Sequence, residues 1–339
     1  MLNIDLYINS AGIISGAGNN MREGFLQGVL QYSAKALPAV EPDYKEYIPV
    51  MQLRRMSRAV RMGVVAAKTA MQQAGIEKPD ALCVGTAYGC LQDTESFLGK
   101  LIEQDEQMLT PTAFIQSTHN TVSGQIALLA GCTGHNLTYV HRGHSFEHAL
   151  IDAKLYLQRH PGEHLLVGAI EEQTANSVKA LQYAGAAAKE NYSAEDVSEG
   201  KLSAPVCGEG AAFFSVTGQP LSDKSLRIAA LDVFKADEQT AFQKINAFAN
   251  NNGPFDVFVS GMNGEKRNHA FYKRLSEEIL NNIPRTIFKN LCGEYPVAAS
   301  FALGMLSQRA FPGALPADAK TILLVNNHCE YYSCWKIVL

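Results

Sequence analysis

Short apolar segments alternate with amphipathic segments along the whole chain of 339 residues. Residues 4–8, 81–86 and 256–260 have the length and the side chains of buried strands. Residues 53–74 instead repeat apolar side chains at three- and four-residue steps, as an amphipathic helix does, and Gly75 follows in the position of a helix cap. This alternation is typical of an α/β fold with largely buried sheets.

The order of the predicted elements is roughly repeated along the chain. A first round covers residues 1–222, and a second, shortened round covers residues 223–339. The second round comprises predicted strands at 226–234, 256–260, 321–326 and 333–338 and predicted helices at 238–250, 266–280 and 297–309. Because no Pro-, Gly- or Ser-rich linker separates the rounds, we expect two similar halves that form one integrated structural unit.

The charge and composition of the chain argue against nucleic acid and membranes as partners. The net charge of −4 and the pI near 6.2 provide no field that would attract nucleic acid or an anionic membrane surface. No apolar run reaches the length of a membrane span, and the first residues lack a secretory signal, so we expect a cytoplasmic protein. The seven cysteines lack a C-x-x-C pair and fit free thiols in a reducing compartment. No cofactor is expected.

The segment 136–160 is predicted to form a strand, a sharp turn and a helix, and it concentrates the polar candidates. His144, Glu147 and His148 match H-x-x-E-H, the inverted zinc-peptidase motif. Five-residue motifs also occur by chance, so we expect no metal here, and incidental binding by these histidines together with His141 is favoured over peptidase activity. Ser145 is next to His144, but adjacent helical side chains point about 100° apart, so Ser145 is expected to cap the helix.

Several segments together resemble the β-ketoacyl synthases of the thiolase superfamily, in the order that this family has them. Residues 8–19 are similar to the opening strand and turn of the family, and residues 208–212 match its "GEGAG" segment. The other matching segments are residues 53–58 continuing to 74–76, residues 84–89, and residues 110–120 continuing to 123–127. The resemblance implies the thiolase fold, a five-layer αβαβα sandwich of two similar halves.

The resemblance also implies where the catalytic residues of the family should be. Gly143 takes the position of the acyl-accepting cysteine, Gly261 that of the first histidine and Glu294 that of the second. Lys289 is retained, and residues 328–333 correspond to a glycine-rich loop whose glycines are absent. Since the nucleophile and both histidines are missing, no ketosynthase mechanism remains and no catalytic residue is expected.

The resemblance is strongest to chain-length factors and to the ketosynthase-like subunits of aryl-polyene and flexirubin-type pathways. It implies a pseudoenzyme that pairs with an active β-ketoacyl synthase in a type II fatty acid, polyketide or polyene pathway, with an acyl carrier protein as a further partner and a homodimer when isolated. The interface is expected at helix 120–130, predicted to be buried, and strand 137–140.

Two other functions stay open. The first is an acyltransferase or thioesterase-like enzyme on the same fold that uses Ser145, His144 or Lys289, although Lys289 is more readily understood as a structural lysine. The second is a zinc hydrolase that uses His144, Glu147 and His148.

Overall fold

The computed structural model describes residues 2–21, 25–26, 31–107, 110–280, 283–309, 316 and 318–339. The strands are β1 Leu2–Ser15, β2 Gly18–Asn19, β3 Ala36–Leu37, β4 Ala81–Gly85, β5 Asn136–Tyr139, β6 Leu165–Glu171, β7 Cys207–Gly208, β8 Gly210–Thr217, β9 Leu226–Lys235, β10 Val257–Ser260, β11 Arg285–Ile287, β12 Thr321–His328 and β13 Tyr331–Val338.

The helices are α1 Val50–Leu53, α2 Arg58–Ala74, α3 Leu91–Glu103, α4 Pro111–Gln116, α5 Thr121–Ala130, α6 Ser145–Arg159, α7 Ala175–Tyr183, α8 Ala194–Glu199, α9 Glu238–Asn252, α10 Lys266–Glu278, α11 Lys289–Cys292 and α12 Ala298–Ser307. Two short 3₁₀ helices are η1 Tyr44–Glu46 and η2 Arg142–His144. Among the helices of the described residues, none has both the length and the apolar character needed to cross a bilayer.

One large sheet contains two groups of five strands with the same topology. The first group has the order β5-β4-β6-β8-β1, and the second has the order β11-β10-β12-β13-β9. Numbered by sequence within its group, each set reads 3-2-4-5-1, with three parallel strands followed by two antiparallel ones. The groups join where β1 pairs antiparallel with β9. The fold is therefore built from two topologically equivalent halves.

Three hydrophobic clusters separate the structure into layers. The central cluster takes side chains of α6 and α12 together with the inner faces of both strand groups. A second cluster packs α2 and α5 on the outer face of the first group, and a third packs α9 and α10 on the outer face of the second group. This arrangement is the five-layer αβαβα sandwich, so the predicted fold class is confirmed.

The first predicted strand and the first predicted helix have different bounds in the structure. The strand predicted to end at residue 8 continues to Ser15, so Gly12 lies inside β1. The helix predicted at 53–74 begins only at Arg58, as α2, because α1 ends at Leu53; Gly75 caps α2 in the left-handed conformation with a φ of 68°, as predicted. A Cβ atom at Gly12 would lie 1.9 Å from the carbonyl oxygen of Ala66, so this glycine lets α2 pack directly on β1.

Substitution of Gly12 tests this packing. Gly12→Ala is expected to lower the free energy of unfolding by about 3 kcal/mol or more, because the new methyl group meets helix backbone that cannot move alone. Gly99→Ala in α3 is the matched control: beyond its own stretch of helix, no described atom lies within 4 Å of the added Cβ atom, and it should stabilise by about 0.5–1 kcal/mol. Urea denaturation of both variants measures the difference, and equal stabilities would contradict the packing argument.

Candidate functional site

The turn between β5 and α6 lies where the resemblance places a nucleophile. Arg142 has a φ of 50°, a left-handed conformation that is uncommon for a residue with a side chain. The hydroxyl of Ser145 accepts a hydrogen bond from the backbone N–H of His141 at 2.9 Å and donates one to the carbonyl of Arg142 at 2.8 Å. Ser145 is fully buried and its hydroxyl closes the turn, so this group is not available to attack a substrate.

The hairpin between β12 and β13 fills the space beside Gly143. A Cβ atom at position 143 would lie 2.9 Å from the Cβ atom of His328 and 2.9 Å from that of Tyr331. Carbon atoms pack favourably at about 3.5–4.0 Å, and both of these Cβ atoms move only with the backbone. A cysteine at position 143 would therefore fit only if the hairpin moved.

His328 also belongs to a buried charge cluster centred on Glu294. The Nζ atom of Lys289 donates hydrogen bonds to Oε2 of Glu294 at 2.8 Å and to the carbonyl of Asn327 at 2.6 Å. Nδ2 of Asn263 donates to the same carboxylate oxygen at 2.9 Å, and Nδ1 of His328 lies 3.0 Å from Oε1. Glu294 thus joins the segments 261–264, 289–294 and 327–328 into one network.

The electrostatics of this cluster fix its protonation. Burial would raise the pKa of Glu294, but Lys289 and then His328 outweigh it and hold that pKa at about 2. The carboxylate is therefore ionised and can only accept hydrogen bonds, so Nδ1 of His328 donates to it. Negative charge here would oppose the carbanion that a ketosynthase must stabilise. Lys289 is only 1% exposed and serves the ion pair.

The turn after β10 contributes Asn263 to the charge cluster, and not Gly261, the position that the sequence predicted. A Cβ atom at Gly261 would lie 2.8 Å from both Cα and Oδ1 of Asn326, so no histidine side chain fits there. The side chain of this turn that reaches the cluster is Asn263. Sequence reasoning missed Asn263 and His328 as site residues. For His328, the sequence did contain a signal: this histidine lies in the segment 328–333, which corresponds to the family's glycine-rich loop.

A cavity of about 480 Å³ lies next to the charge cluster, between the two halves. Its walls include Glu294, His328, Asn263 and Tyr88, and Gly143 is not among the described residues that line it. Cys329 also lines the cavity, but burial and Glu294 raise the pKa of its thiol, so it is not an activated nucleophile. The arrangement supplies an oriented histidine beside an open space, which is the geometry of a general base.

The histidines of the H-x-x-E-H motif do not form a peptidase site. His144 and His148 cluster with His141, their ligand nitrogen atoms lying within 4.8 Å of one another. Glu147 is fully buried, accepts a hydrogen bond from the Ser333 hydroxyl at 2.8 Å, and is not part of that cluster of described residues. A zinc peptidase needs the glutamate beside the metal as its base, so the zinc hydrolase prediction is not supported by this geometry.

The predicted interface elements form an open edge. β5 ends the sheet, and within the described part of the chain it pairs with β4 alone. Helix α5, predicted to be buried, is so only on one face, because Leu128 is 73% exposed and Leu129 is 41% exposed. Leu137 and Val140 are 45% and 49% exposed. Helix α5 is predicted to be buried because its sequence is mostly apolar, but among the described residues of the single chain no other element covers its outer face. An exposed apolar helix next to an unpaired strand is typical of an interaction surface.

Comparison with known proteins identifies this arrangement. Residues 30–188 match the family described as Beta-ketoacyl synthase, N-terminal domain. The ishigamide ketosynthase/chain length factor has a TM-score of 0.77 at 16% identity, with 99% of each chain covered. The ketosynthase ApeO in complex with its chain length factor ApeC from Xenorhabdus doucetiae has a TM-score of 0.74 at 13% identity, covering 99% of this chain and 98% of that one.

A third structure is a type II polyketide synthase acyl-carrier protein in complex with its ketosynthase bound to the hexaketide (AntDE:AntF), with a TM-score of 0.73 at 15% identity, covering 98% of this chain and 99% of that one. No curated protein sequence matches the chain. These comparisons confirm the resemblance to β-ketoacyl synthases: the whole chain has the ketosynthase fold, and residues 30–188 carry the sequence signature of the synthase N-terminal domain.

The buried carboxyl of Glu147 predicts a pH-dependent stability. Burial raises its pKa from 4.5 to about 7, so between these values the folded chain holds a proton that the unfolded chain releases. The free energy of unfolding should therefore fall as the pH rises from about 4.5 to about 7, by on the order of 3 kcal/mol from this group.

Glu147→Gln removes this contribution and should gain stability over the native chain as the pH rises. Denaturant titrations at pH 5, 6, 7 and 8 measure the slope, with the exposed Glu190→Gln as control. Identical pH slopes for Glu147→Gln and the native chain would contradict the assignment.

Proposed function

We propose that this chain is a non-catalytic, ketosynthase-like subunit that pairs with an active β-ketoacyl synthase in a type II fatty acid, polyketide or polyene pathway. The observation that carries the proposal is a combination of two features: the predicted nucleophile position has no room for a side chain, and the sheet edge at β5 is unpaired and exposed. The hairpin of His328 and Tyr331 fills the space beside Gly143, and apolar side chains line the unpaired edge at β5.

The charge cluster supports the loss of condensation chemistry. A ketosynthase needs a thiolate to accept the acyl chain and two neutral histidines to decarboxylate the extender. Here Gly143 has no side chain, and an ionised, ion-paired Glu294 takes the predicted place of one histidine. Each missing group costs a factor of about a hundred or more in rate, so their combined loss leaves no measurable condensation.

The open edge supports a partner of the same fold. An unpaired edge strand offers backbone hydrogen bonds, and the flanking apolar residues supply the hydrophobic area that a stable interface needs. Edge pairing between two such sheets would bury β5 together with the exposed face of α5. Two of the structures with this fold are described as a ketosynthase with its chain length factor, and a third holds an acyl-carrier protein. We therefore propose a heterodimer that an acyl carrier protein serves, with a homodimer when the chain is isolated.

The interface is tested by placing charge on the open edge. A Leu128→Glu, Leu137→Glu double variant should abolish the one-to-one complex with the co-expressed ketosynthase in native mass spectrometry. Both side chains are exposed, so the variant should unfold within about 0.5 kcal/mol of the native chain. Leu221→Glu, 49% exposed in the loop between β8 and β9, is the control and should leave the complex intact. A complex that survives the double variant would refute this interface.

Restoring a nucleophile tests the loss of chemistry. Gly143→Cys should lower the free energy of unfolding by about 1–3 kcal/mol, because its Cβ atom overpacks the hairpin, and should give no condensation. Gly143→Ala adds the same Cβ atom without a thiol and should lose similar stability. Acyl-carrier thioester assays and thermal melts provide both readouts. Robust condensation by Gly143→Cys would overturn the proposal.

A second candidate function is an acyltransferase or thioesterase-like enzyme, and one observation favours it. The carboxylate of Glu294 orients His328 beside the cavity, as in catalytic dyads that activate water or a hydroxyl group. Ser145, His144 and Lys289 do not support it, since Ser145 closes the turn, His144 bonds to the carbonyl of Tyr332, and Lys289 is in the ion pair.

Turnover by the isolated chain separates the two functions. If the second candidate holds, acyl-carrier thioesters are hydrolysed and His328→Gln slows this by about 10²–10⁴-fold. Cys329→Ser, which alters the neighbouring side chain in the same cavity wall, should keep the rate. Our proposal predicts no turnover above background in any of these proteins.

A further inference from the structure

We propose that His141, His144 and His148 form a binding site for a divalent transition-metal ion, with Zn²⁺ as the preferred probe. The ligand nitrogens of all three side chains lie within 4.8 Å of one another. The Nδ1 atoms of His141 and His148 are 3.1 Å apart. Tetrahedral zinc with bonds of about 2.0–2.1 Å spaces its ligand nitrogens by about 3.3 Å, so these two rings already have nearly the required separation.

The backbone holds the three rings on one side of the turn. His144 and His148 are four residues apart at the start of α6 and face the same side of the helix. His141 precedes η2, and the hydrogen bond from its N–H to Ser145 fixes the turn that brings its ring over the helix. The ring centroids of His141 and His148 are 4.6 Å apart. Since the three nitrogens lie within 4.8 Å of one another, none has to approach another by more than about 1.5 Å to share one tetrahedral ion.

A second hydrogen bond fixes the tautomer of His144, the buried histidine of the cluster. Nε2 of His144 lies 2.9 Å from the carbonyl oxygen of Tyr332 and must donate its proton there. Its Nδ1 atom therefore keeps a lone pair that can bind a metal. This outer bond from a histidine to a carbonyl is the arrangement that orients metal-binding histidines. Tyr331 packs its ring edge-on against His144 at 5.1 Å and shields one side of the cluster.

The chemistry of the set indicates the class of metal. Three neutral imidazoles suit Zn²⁺, Cu²⁺ and Ni²⁺ and not the oxygen-seeking Mg²⁺ or Ca²⁺. Glu147 binds Ser333 and supplies no carboxylate ligand. The three imidazoles therefore do not neutralise the charge of the bound ion, and the fourth coordination position is left for water or an anion. The site would cross-link the turn that contains Arg142 and Gly143, and this role does not depend on the function proposed above.

A second group of ligand-type atoms provides an internal control. Sγ of Cys83 and Nε2 of His135 both contact Oδ2 of Asp152, at 3.2 and 2.6 Å. A metal there would carry a sulfur ligand, which X-ray absorption distinguishes from nitrogen at about 2.3 against 2.0–2.1 Å.

The test is zinc titration of the tag-free, EDTA-treated full chain by calorimetry, followed by zinc X-ray absorption. We expect one Zn²⁺ per chain with nitrogen or oxygen ligands only. His141→Ala and His148→Ala should each weaken binding at least tenfold. His160→Ala, at the exposed end of the same helix, and His135→Ala should bind like the native chain.

Thermal melts in EDTA verify that each variant is folded, and His141 is exposed, so its variant should fold normally. No saturable binding, a sulfur ligand, or unchanged affinity in the His141→Ala, His148→Ala double variant would each overturn the proposal.

Discussion

The buried ion pair between Lys289 and Glu294 is the interaction on which the site depends. Both groups are nearly excluded from water, so each would be strongly unfavourable without the other, and removal of one partner from such a pair costs about 3–5 kcal/mol. The carboxylate also binds Asn263 and His328. Because His328 begins the hairpin that packs on Gly143, the charge pair and the filled space beside Gly143 belong to one structure.

This coupling explains how the fold can persist if condensation chemistry is lost, as we propose. The two equivalent strand groups and the central helices α6 and α12 are stabilised by apolar packing that needs none of the catalytic groups. The hairpin fills the space beside Gly143, and the ion pair occupies the place predicted for the second histidine. What stays open is the apolar edge at β5, and that surface is where we expect a partner.

The sequence was most informative where local pattern decides the structure. The alternation of apolar strands and amphipathic helices predicted an α/β fold, the resemblance to β-ketoacyl synthases implied its five layers, and the motif order led to Gly143 and Glu294. It failed where contacts between distant residues decide. Gly12 looks like a turn glycine until the packing of α2 is known, and helix α5 looks buried because its sequence is mostly apolar and uncharged. Asn263 and His328 reach Glu294 from segments 31 and 34 residues away, which no local pattern shows.

The most direct test of the account is the condensation activity of the ketosynthase encoded nearest to this chain, measured with and without it. Product chains from acyl-carrier thioesters are analysed by mass spectrometry for the synthase alone, this chain alone and the co-purified pair. We predict elongated product only from the pair. A synthase that produces the same chains alone, or thioester turnover by this chain alone, would contradict the central claim.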